Sequence, residues 1–402
     1  MPSHRALKYP AILLFAFVLV SCSSRESARR VHPLKSPAES PSGEPFLTTD
    51  GKGKVLLSWI AKAGDSTMFQ FSTLHDTTWT QPHTIASGHS WFVNWADYPL
   101  LARNDNHILA HFLDQSGPDT YAYDIKITAS SNGGENWSTP YILNTDKKEA
   151  EHGFVSILPF EDGFFVCWLD GRNTVMEGMG DMKDHEGHHG AMSLRAAILN
   201  AQGEMVKEWE LDNRTCDCCQ TGAALTDSGP IVVYRDRSAS EIRDISVIRY
   251  VDGSWTQPVT LYADRWKIAG CPVNGPRVVA AGKEVAVAWF TAAHDSTQVK
   301  VVFSHNGGKT FDNPVLINET STIGRVDLDW LDAETVVVSW MEGDLIKLRE
   351  VKSNGGIGPA QVVARNSSER AAGFPQLVVS KGRVLLAWTN LQTNTIQLAT
   401  YQ

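Results

Sequence analysis

The feature that most constrains the fold is a short apolar run that ends in an aromatic residue and recurs along the chain. The runs end at Trp59, Phe112, Trp168, Tyr234, Trp289, Trp340 and Trp388. Successive aromatics are 53, 56, 66, 55, 51 and 48 residues apart. Another strand-like segment precedes each run, and usually two more follow it. Near-equal periods of four strands are typical of a β-propeller, so the sequence predicts an all-β propeller rather than an array of β-sandwiches.

We expect seven four-stranded blades because seven aromatic-ended runs are visible. Six blades with an irregular closing blade are the alternative. The predicted units are residues 45–87, 95–143, 151–211, 219–261, 271–317, 324–363 and 373–402. The last unit lacks a fourth strand. Residues Val31 to Lys35 are the candidates to supply it, which would close the ring with both ends of the chain.

Two predicted turns share a glycine pair followed by an aromatic. Ser130 to Trp137 reads S-S-N-G-G-E-N-W, and Ser304 to Phe311 reads S-H-N-G-G-K-T-F. The glycines allow a tight turn, and the asparagine can hydrogen-bond the turn backbone. These segments resemble the Asp-box, or BNR, repeats of sialidases, which implies a sialidase-like propeller. Such boxes are structural turns and do not establish sialidase chemistry, and sialidases have six blades, so seven would be a departure.

Propeller geometry sorts the polar residues by face. The segments between blades and the turns after each second strand gather on one face, around the channel mouth, and the Asp-box turns lie on the other. The predicted arrangement resembles that of sialidase-like propellers, whose ligand sites lie on the face opposite the Asp-boxes. We expect the channel-mouth face to bind an acidic or polyhydroxylated ligand, because arginine pairs bidentately with carboxylates. The alternative is that these loops are simply solvated and that Arg–Asp pairs join adjacent blades. The candidate ligand-binding residues are His152, Asp170, Arg172, Arg235, Asp236, Arg237, Glu241, Arg243, Asn274, Arg325 and Asp327.

The resemblance to sialidases implies particular roles, since those enzymes combine an arginine triad, a Tyr–Glu nucleophile pair and an Asp acid/base. The arginines that would form the cluster are Arg172, Arg235 and Arg325. The catalytic groups would be Asp97, Glu151 and Tyr123, with Tyr121 as the alternative tyrosine. The Arg-Ile-Pro motif expected near a sialidase N terminus is absent. The family's catalytic residues are therefore not anchored by an aligned motif.

Four cysteines, Cys216, Cys218, Cys219 and Cys271, fall on the channel-mouth face of two adjacent units. Cys167 lies inside an apolar strand and is expected to be a buried free thiol. In an exported protein the default is a disulfide, most naturally from Cys271 to one of the other three. Thiolate binding of zinc or copper is the alternative, and a redox-active thiol is the third possibility.

One insertion accounts for the longest interval between aromatics. Met176 to Met192 reads M-E-G-M-G-D-M-K-D-H-E-G-H-H-G-A-M. Thioether and imidazole ligands together suit copper; the alternative is a solvated Gly/Asp-rich loop. The tentative metal ligands in this loop are Met176, Met179, Met182, His185, His188 and His189.

The first residues resemble a bacterial export signal. The chain starts with basic residues and continues with an apolar run of about ten residues, which is too short for a permanent membrane span. The run leads into Leu19-Val20-Ser21-Cys22, which resembles a lipobox and implies lipid on Cys22. We expect a signal peptide over 1–21, a flexible tether over 22–43 and the propeller over 44–402. The protein would then be anchored in a bacterial cell envelope, on the periplasmic face or the cell surface.

The charge balance excludes one class of partner. The chain has 36 basic against 45 acidic side chains, and without a basic stripe we expect no binding to nucleic acid. We expect a monomer whose channel mouth recognises, and is a candidate to hydrolyse, an acidic glycan. The alternatives are a copper- or zinc-binding or redox propeller and a scaffold that docks a protein partner.

Overall fold

The structure is a computed structural model that describes residues 29–175 and 190–402. Cys22 and the six Met/His candidates of the 176–189 loop lie outside the described residues. Within the described ranges, no helix is long and apolar enough to cross a membrane. Two short 3₁₀ helices occur at Ala293–Asp295 and Arg370–Ala372.

The strands, in chain order, are β1 Val31–Leu34, β2 Ser42–Thr49, β3 Val55–Ala63, β4 Ser66–His75, β5 Thr78–Trp79, β6 His83–Gly88, β7 Leu100–Asn104, β8 His107–Gln115, β9 Tyr123–Ser130, β10 Tyr141–Ile142, β11 His152–Phe160, β12 Gly163–Asp170, β13 Met192–Leu199, β14 Met205–Thr215, β15 Gly222–Thr226, β16 Gly229–Arg235, β17 Ile245–Val251, β18 Ser254–Trp255, β19 Val259–Tyr262, β20 Arg277–Ala281, β21 Glu284–Thr291, β22 Gln298–Ser304, β23 Val315–Leu316, β24 Gly324–Trp330, β25 Thr335–Glu342, β26 Leu345–Lys352, β27 Gln361–Arg365, β28 Gln376–Ser380, β29 Arg383–Asn390 and β30 Thr395–Tyr401.

These strands pair into seven antiparallel sheets, each a four-stranded blade. Blade 1 contains β2, β3, β4 and β6, with β5 as an extra pairing on β4. Blade 2 is β7–β10, blade 3 is β11–β14, and blade 4 is β15–β17 with β18 and β19 both pairing with β17. Blades 5 and 6 are β20–β23 and β24–β27. The chain is therefore a seven-bladed all-β propeller, which confirms the seven predicted units and excludes the six-bladed alternative.

The ring closes with a strand from the beginning of the chain. β1 pairs antiparallel with β30, so that blade 7 is β28–β29–β30–β1. The register places Val31 opposite Tyr401 and Leu34 opposite Leu398. Strand β1 therefore supplies the missing fourth strand at the position that the sequence predicts.

Each blade is apolar on both faces because blades stack face to face around the ring. The second strands consequently read as continuous apolar runs rather than as alternating ones. Trp59, Trp168, Trp289 and Trp340, which end four of these runs, are fully buried. Three of these indoles also donate a hydrogen bond to a carboxylate. Trp168 and Trp340 donate to the acidic residue two positions later, as in the 3.0 Å bond from Trp168 Nε1 to Asp170 Oδ2, and Trp289 donates to Asp264 in a neighbouring loop. A buried indole usually finds such a partner, but Trp59 Nε1 has none among the described residues.

The glycine-rich turns have the Asp-box geometry expected from the sequence. In the first, Ser130 Oγ accepts a hydrogen bond from the Gly134 N–H at 2.9 Å, and Asn132 Oδ1 accepts one from Asn136 at 3.0 Å. Gly134 has a φ of 97°, and a Cβ there would stand 2.4 Å from Phe71 Cζ of blade 1. Glycine is required both by the left-handed backbone and by the approach to the neighbouring blade.

Candidate functional site

A cavity of about 550 Å³ opens on the face opposite the Asp-box turns. Its walls come from the segments before the first strands of blades 2, 3, 4, 5 and 7, and from the turns after the second strands of blades 2 and 3. These are the segments that propeller geometry brings to the channel mouth. The structure thus gathers residues from five blades around one opening.

Three predicted catalytic residues meet in the wall of this cavity. The Tyr123 hydroxyl donates to Glu151 Oε1 at 2.9 Å and lies 3.4 Å from Asp97 Oδ2. Tyr123 begins β9, and Glu151 lies beside it in a parallel bridge one residue before β11. Phe92 stacks on the Tyr123 ring with centroids 4.1 Å apart. The phenol is therefore held in place between two carboxyl groups.

Burial sets the protonation of this trio. It raises the pKa of Glu151 to about 7, against the opposing effect of the Tyr123 hydrogen bond. Burial also raises the pKa of Asp97 well above its usual range, although the Phe154 N–H donates to its Oδ1 at 2.7 Å. The pKa of Tyr123 is raised well above 10 by burial and by the two carboxylates. Burial therefore favours the neutral form of all three groups, and Glu151, with a pKa of about 7, titrates near neutral pH.

A glycine makes room for Asp97. A Cβ on Gly153 would lie 1.9 Å from Asp97 Oδ2, so only glycine leaves space for this carboxyl beside β11. The neighbouring Phe154 has a φ of 52° and turns its N–H toward Asp97. This local distortion coincides with a shift in the pairing register between β11 and β12. The carboxyl is thus built into the first strand of blade 3.

None of the three arginines expected to form a ligand-binding cluster lines the cavity. Arg235 is 2% exposed, and its guanidinium donates to the backbone oxygens of Arg243, Asn274 and Phe290. Arg325 donates to the carbonyls of Ser368 and Glu369 at 3.0 and 2.9 Å. Each of these two guanidinium groups thus bonds backbone oxygens of the following blade or of the segment leading into it. The expectation of an arginine triad is therefore not realised, because the buried carbonyls at the blade junctions recruit these side chains.

The third member of that expected cluster is bound by a carboxylate. Arg172 makes a bidentate pair with Asp170, with bonds of 2.7 and 2.8 Å. His152 is completely buried next to this pair, 3.2 Å from Asp146 Oδ2 and 3.8 Å from Asp170 Oδ1. Burial opposes a charge on His152, but the Asp146 and Asp170 carboxylates raise its pKa nonetheless. This network lies behind the cavity wall and not on its lining.

The remaining predicted ligand-binding residues form ion pairs or backbone bonds. Arg237 bridges Asp217 at 2.9 Å and Glu241 at 3.0 Å, and Glu241 also binds Arg243 at 2.8 Å. Three predicted residues remain. Asp236 accepts a hydrogen bond from Ser246, and Asn274 accepts one from the Arg325 N–H. Asp327 faces Arg277 in the central channel. These side chains lie outside the lining of the cavity.

The four channel-mouth cysteines cluster at another part of the same cavity. Cys216 Sγ is 3.9 Å from Cys218 Sγ and 3.7 Å from Cys219 Sγ, and all described cysteines are free thiols. Cys271 lines the cavity together with Cys218. Hydrogen bonds from the Cys218 and Cys219 thiols, followed by the nearby Arg243 charge, lower the pKa of Cys216 well below its usual range. Cys167 is buried and free in β12, as the sequence predicts.

Two sets of three side chains place potential metal-ligating atoms within 4.8 Å of one another in the described ranges. One consists of Cys216, Cys218 and Cys219, and the other of Asp146, His152 and Asp170. In the second set, the Arg172 guanidinium already neutralises Asp170. The thiol set is the one whose ligand atoms remain available to an ion.

Several lining residues escape the sequence analysis. They are Phe92, Trp95, Asp119, Glu149, Asp217 and Arg370. Asp217 lies inside the C-D-C-C segment and Trp95 inside N-W-A-D-Y, so both stand beside residues that motif analysis selects. Asp119 begins the D-T-Y-A-Y-D turn that also carries Tyr121 and Tyr123. Phe92, Glu149 and Arg370 are isolated loop residues whose sequence context carries no motif.

No sequence family and no curated protein matches this chain. Among solved structures, it is similar to the α-L-arabinofuranosidase Arb93A from Fusarium graminearum, with 9% identity, a TM-score of 0.49 and coverage of 94% of this chain and 97% of that one. The α-L-arabinanase of Penicillium chrysogenum gives 11% identity, a TM-score of 0.47 and coverage of 94% and 98%. The NanB sialidase of Streptococcus pneumoniae gives 13% identity, a TM-score of 0.44 and coverage of 92% and 71%. At these levels the likeness concerns the propeller architecture, and the blade count rests on the strand pairing of this chain.

Proposed function

We propose that the chain binds and hydrolyses a glycan in the channel-mouth cavity. The observation that supports this proposal is the contact of Tyr123 with Glu151 at 2.9 Å and Asp97 at 3.4 Å in the wall of a cavity of about 550 Å³. A nucleophile hydrogen-bonded to a base, beside a carboxyl group whose burial favours protonation, is the set of groups that glycoside hydrolysis requires. The cavity volume lies in the range of small-molecule sites.

The chemistry assigns one role to each group. The Tyr123 oxygen attacks the anomeric carbon while Glu151 takes the phenol proton, and the bond to the leaving group breaks as Asp97 protonates its oxygen. Water then attacks the glycosyl–tyrosine bond, giving a proton to Asp97, and Glu151 returns its proton to the phenolate. Two displacements at one carbon retain the anomeric configuration. The raised pKa values of Asp97 and Glu151 suit an acid and a base that work near neutral pH.

The charge of the cavity favours a neutral glycan over the acidic one expected from the sequence. Five carboxyl side chains line the cavity and one arginine, Arg370, joins them. The five are Asp97, Asp119, Glu149, Glu151 and Asp217. Of the arginines expected to bind a substrate carboxylate, Arg235 and Arg325 are used at blade junctions and Arg172 is paired with Asp170. The lining therefore offers a substrate carboxylate one arginine as a partner, which disfavours an anionic sugar. The rings of Phe92, Trp95 and Tyr121 suit the apolar face of a neutral one.

Export and lipid anchoring at Cys22 are part of the proposal and rest on residues 1–22 alone. They would place the activity in the bacterial cell envelope, where extracellular glycans are accessible.

A panel of aryl glycosides tests the proposal, including neutral pentosides and hexosides and an aryl sialoside. We expect turnover of a neutral glycoside with retention of configuration. The changes Tyr123→Phe and Glu151→Gln should each lower kcat/KM by about 10²–10⁴-fold, the usual contribution of a nucleophile or general base. Tyr121→Phe is the matched control, because Tyr121 is 59% exposed at the cavity edge and should keep activity within a few-fold.

The outcomes separate the parts of the proposal. Hydrolysis of the sialoside alone would overturn the charge argument. Calorimetric binding of oligosaccharides without turnover would reduce the function to recognition. The absence of both binding and turnover across the panel would reject the glycan proposal.

A further inference from the structure

We propose that Cys216, Cys218, Cys219 and Cys271 form a binding site for a thiophilic d¹⁰ cation, Zn²⁺ or Cu⁺, in the wall of the channel-mouth cavity. This inference is independent of the glycan proposal. The residues come from two neighbouring blades. Cys216, Cys218 and Cys219 occupy the segment between β14 and β15, and Cys271 lies between β19 and β20. Packing of β15 against β20 brings the two segments together.

The sulfur geometry matches metal coordination. Cys216 Sγ lies 3.7 and 3.9 Å from the sulfurs of Cys219 and Cys218, and the three sulfurs all fall within 4.8 Å of one another. A tetrahedral ion with metal–sulfur bonds of about 2.3 Å holds its ligands about 3.8 Å apart. A disulfide requires a separation of about 2.05 Å. The three thiols are therefore already spaced as ligands around a shared ion. Cys271 lines the same cavity as Cys218 and is the proposed source of a fourth sulfur.

Charged neighbours fit a cluster of thiolates. Arg243 Nη1 lies 3.2 Å from Cys216 Sγ, and the guanidinium is fixed on its other side by Glu241 at 2.8 Å. Arg237 holds the same Glu241 and also Asp217, within the cysteine segment. Partners of this kind orient the ligands and offset the negative charge that several thiolates leave around a monovalent or divalent ion. Several of the charged residues that the sequence assigns to a glycan thus surround the thiols instead.

The site is accessible from one side. Cys216 and Cys219 are buried, Cys218 is half-buried, and Cys271 is exposed. Cys218 and Cys271 both line the cavity that contains Glu151. An ion would enter from the cavity, contact the sulfurs of Cys218 and Cys271 first, and then bind the buried sulfurs of Cys216 and Cys219. Soft thiolate ligands select Zn²⁺ and Cu⁺ over hard ions such as Mg²⁺ and Ca²⁺.

Metal titration of the reduced full-length protein under anaerobic conditions tests the inference. We expect one Zn²⁺ or Cu⁺ per chain by elemental analysis. We also expect protection of the four thiols from an aromatic disulfide reagent, with a thiolate charge-transfer band for Cu⁺, or for Co²⁺ as a probe of the zinc site. Cys216→Ser should weaken binding at least tenfold. Cys167→Ser is the matched control and should retain full uptake.

The same experiment distinguishes the two ions. A tetrathiolate zinc site loses its affinity in Cys271→Ser, whereas a trigonal copper site of the other three sulfurs keeps it. Thiol protection of the unaltered protein by added metal does not depend on any variant, so a folding failure of Cys216→Ser leaves the test intact. Four reactive thiols and no bound ion at micromolar metal would overturn the inference. Disulfides in the isolated protein, with no metal uptake after their reduction, would also overturn it. Because no glycoside enters the assay, its result is separate from that of the glycan proposal.

Discussion

Arg235 offers the sharpest test of whether the arginines of the channel mouth bind a ligand or join the blades. Its guanidinium donates four hydrogen bonds to three backbone oxygens, two of them at 2.7 Å. It also lies over the Trp266 ring, 4.9 Å from the centroid. Since Asn274 and Phe290 belong to the next blade, Arg235 fastens blade 4 to blade 5.

The expected cost of Arg235→Ala follows from these contacts. The change leaves three buried carbonyls without their donor, and an unsatisfied buried group costs about 1–3 kcal/mol. Partial access of water to the vacated space reduces the total, so we expect a loss of about 3–5 kcal/mol in the free energy of unfolding, the usual effect of breaking a buried charged contact. Arg235→Lys keeps the charge but cannot reach three oxygens, and it should give a smaller loss.

Thermal and urea unfolding measure this loss, and isothermal titration with a glycan that the unaltered protein binds measures affinity. The control is Arg370→Ala, which removes an exposed arginine that does line the cavity. We expect Arg235→Ala to lower the midpoint of unfolding by several degrees and to leave affinity nearly unchanged under conditions where it remains folded. Arg370→Ala should change affinity without loss of stability. A fully stable Arg235→Ala protein with weakened binding would refute the blade-joining role.

Three further predictions concern the trio and the ring closure. Gly153→Ala should displace Asp97, because the new Cβ would lie 1.9 Å from Asp97 Oδ2, and should lower the free energy of unfolding by about 1–3 kcal/mol. The control is Gly51→Ala, whose Cβ would have no atom within 4 Å and which should leave the free energy of unfolding unchanged. Because burial raises the pKa of Glu151 from 4.5 to about 7, its ionisation destabilises the fold as the pH rises through that interval. Glu151→Gln should therefore gain stability relative to the unaltered protein between pH 4.5 and 7 and keep that gain above it; a pH-independent difference would contradict the buried-carboxyl account. Deleting residues 29–34 removes the strand that pairs with β30 and should lower the melting temperature and expose blade 7 to proteolysis; an unchanged cleavage pattern would refute closure by β1.

The blade pattern could be predicted from the sequence because each blade obeys local rules. A second strand buried on both faces reads as an apolar run, and a glycine pair marks a turn that no other residue can make. These signals recur in every repeat or in several of them, so the number of blades and the closing strand at residues 31–34 followed from their spacing. The placement of Asp97, Tyr123 and Glu151 on the channel-mouth face also followed from the strand order. Their catalytic roles came from the resemblance to sialidases, which left Tyr121 as the alternative to Tyr123.

The partners of the charged side chains were decided by the tertiary structure. Arg172, Arg235 and Arg325 read in sequence like free cations on one face, but which buried carbonyl or carboxylate each reaches depends on how neighbouring blades pack. The same packing leaves the cavity lining with more carboxyl groups than arginines, which is the basis for proposing a neutral ligand. The cysteine cluster depends on both the local sequence and the tertiary structure. Their C-x-C-C spacing is local, whereas the approach of Cys271, 52 residues beyond Cys219, exists only because blades 4 and 5 lie side by side.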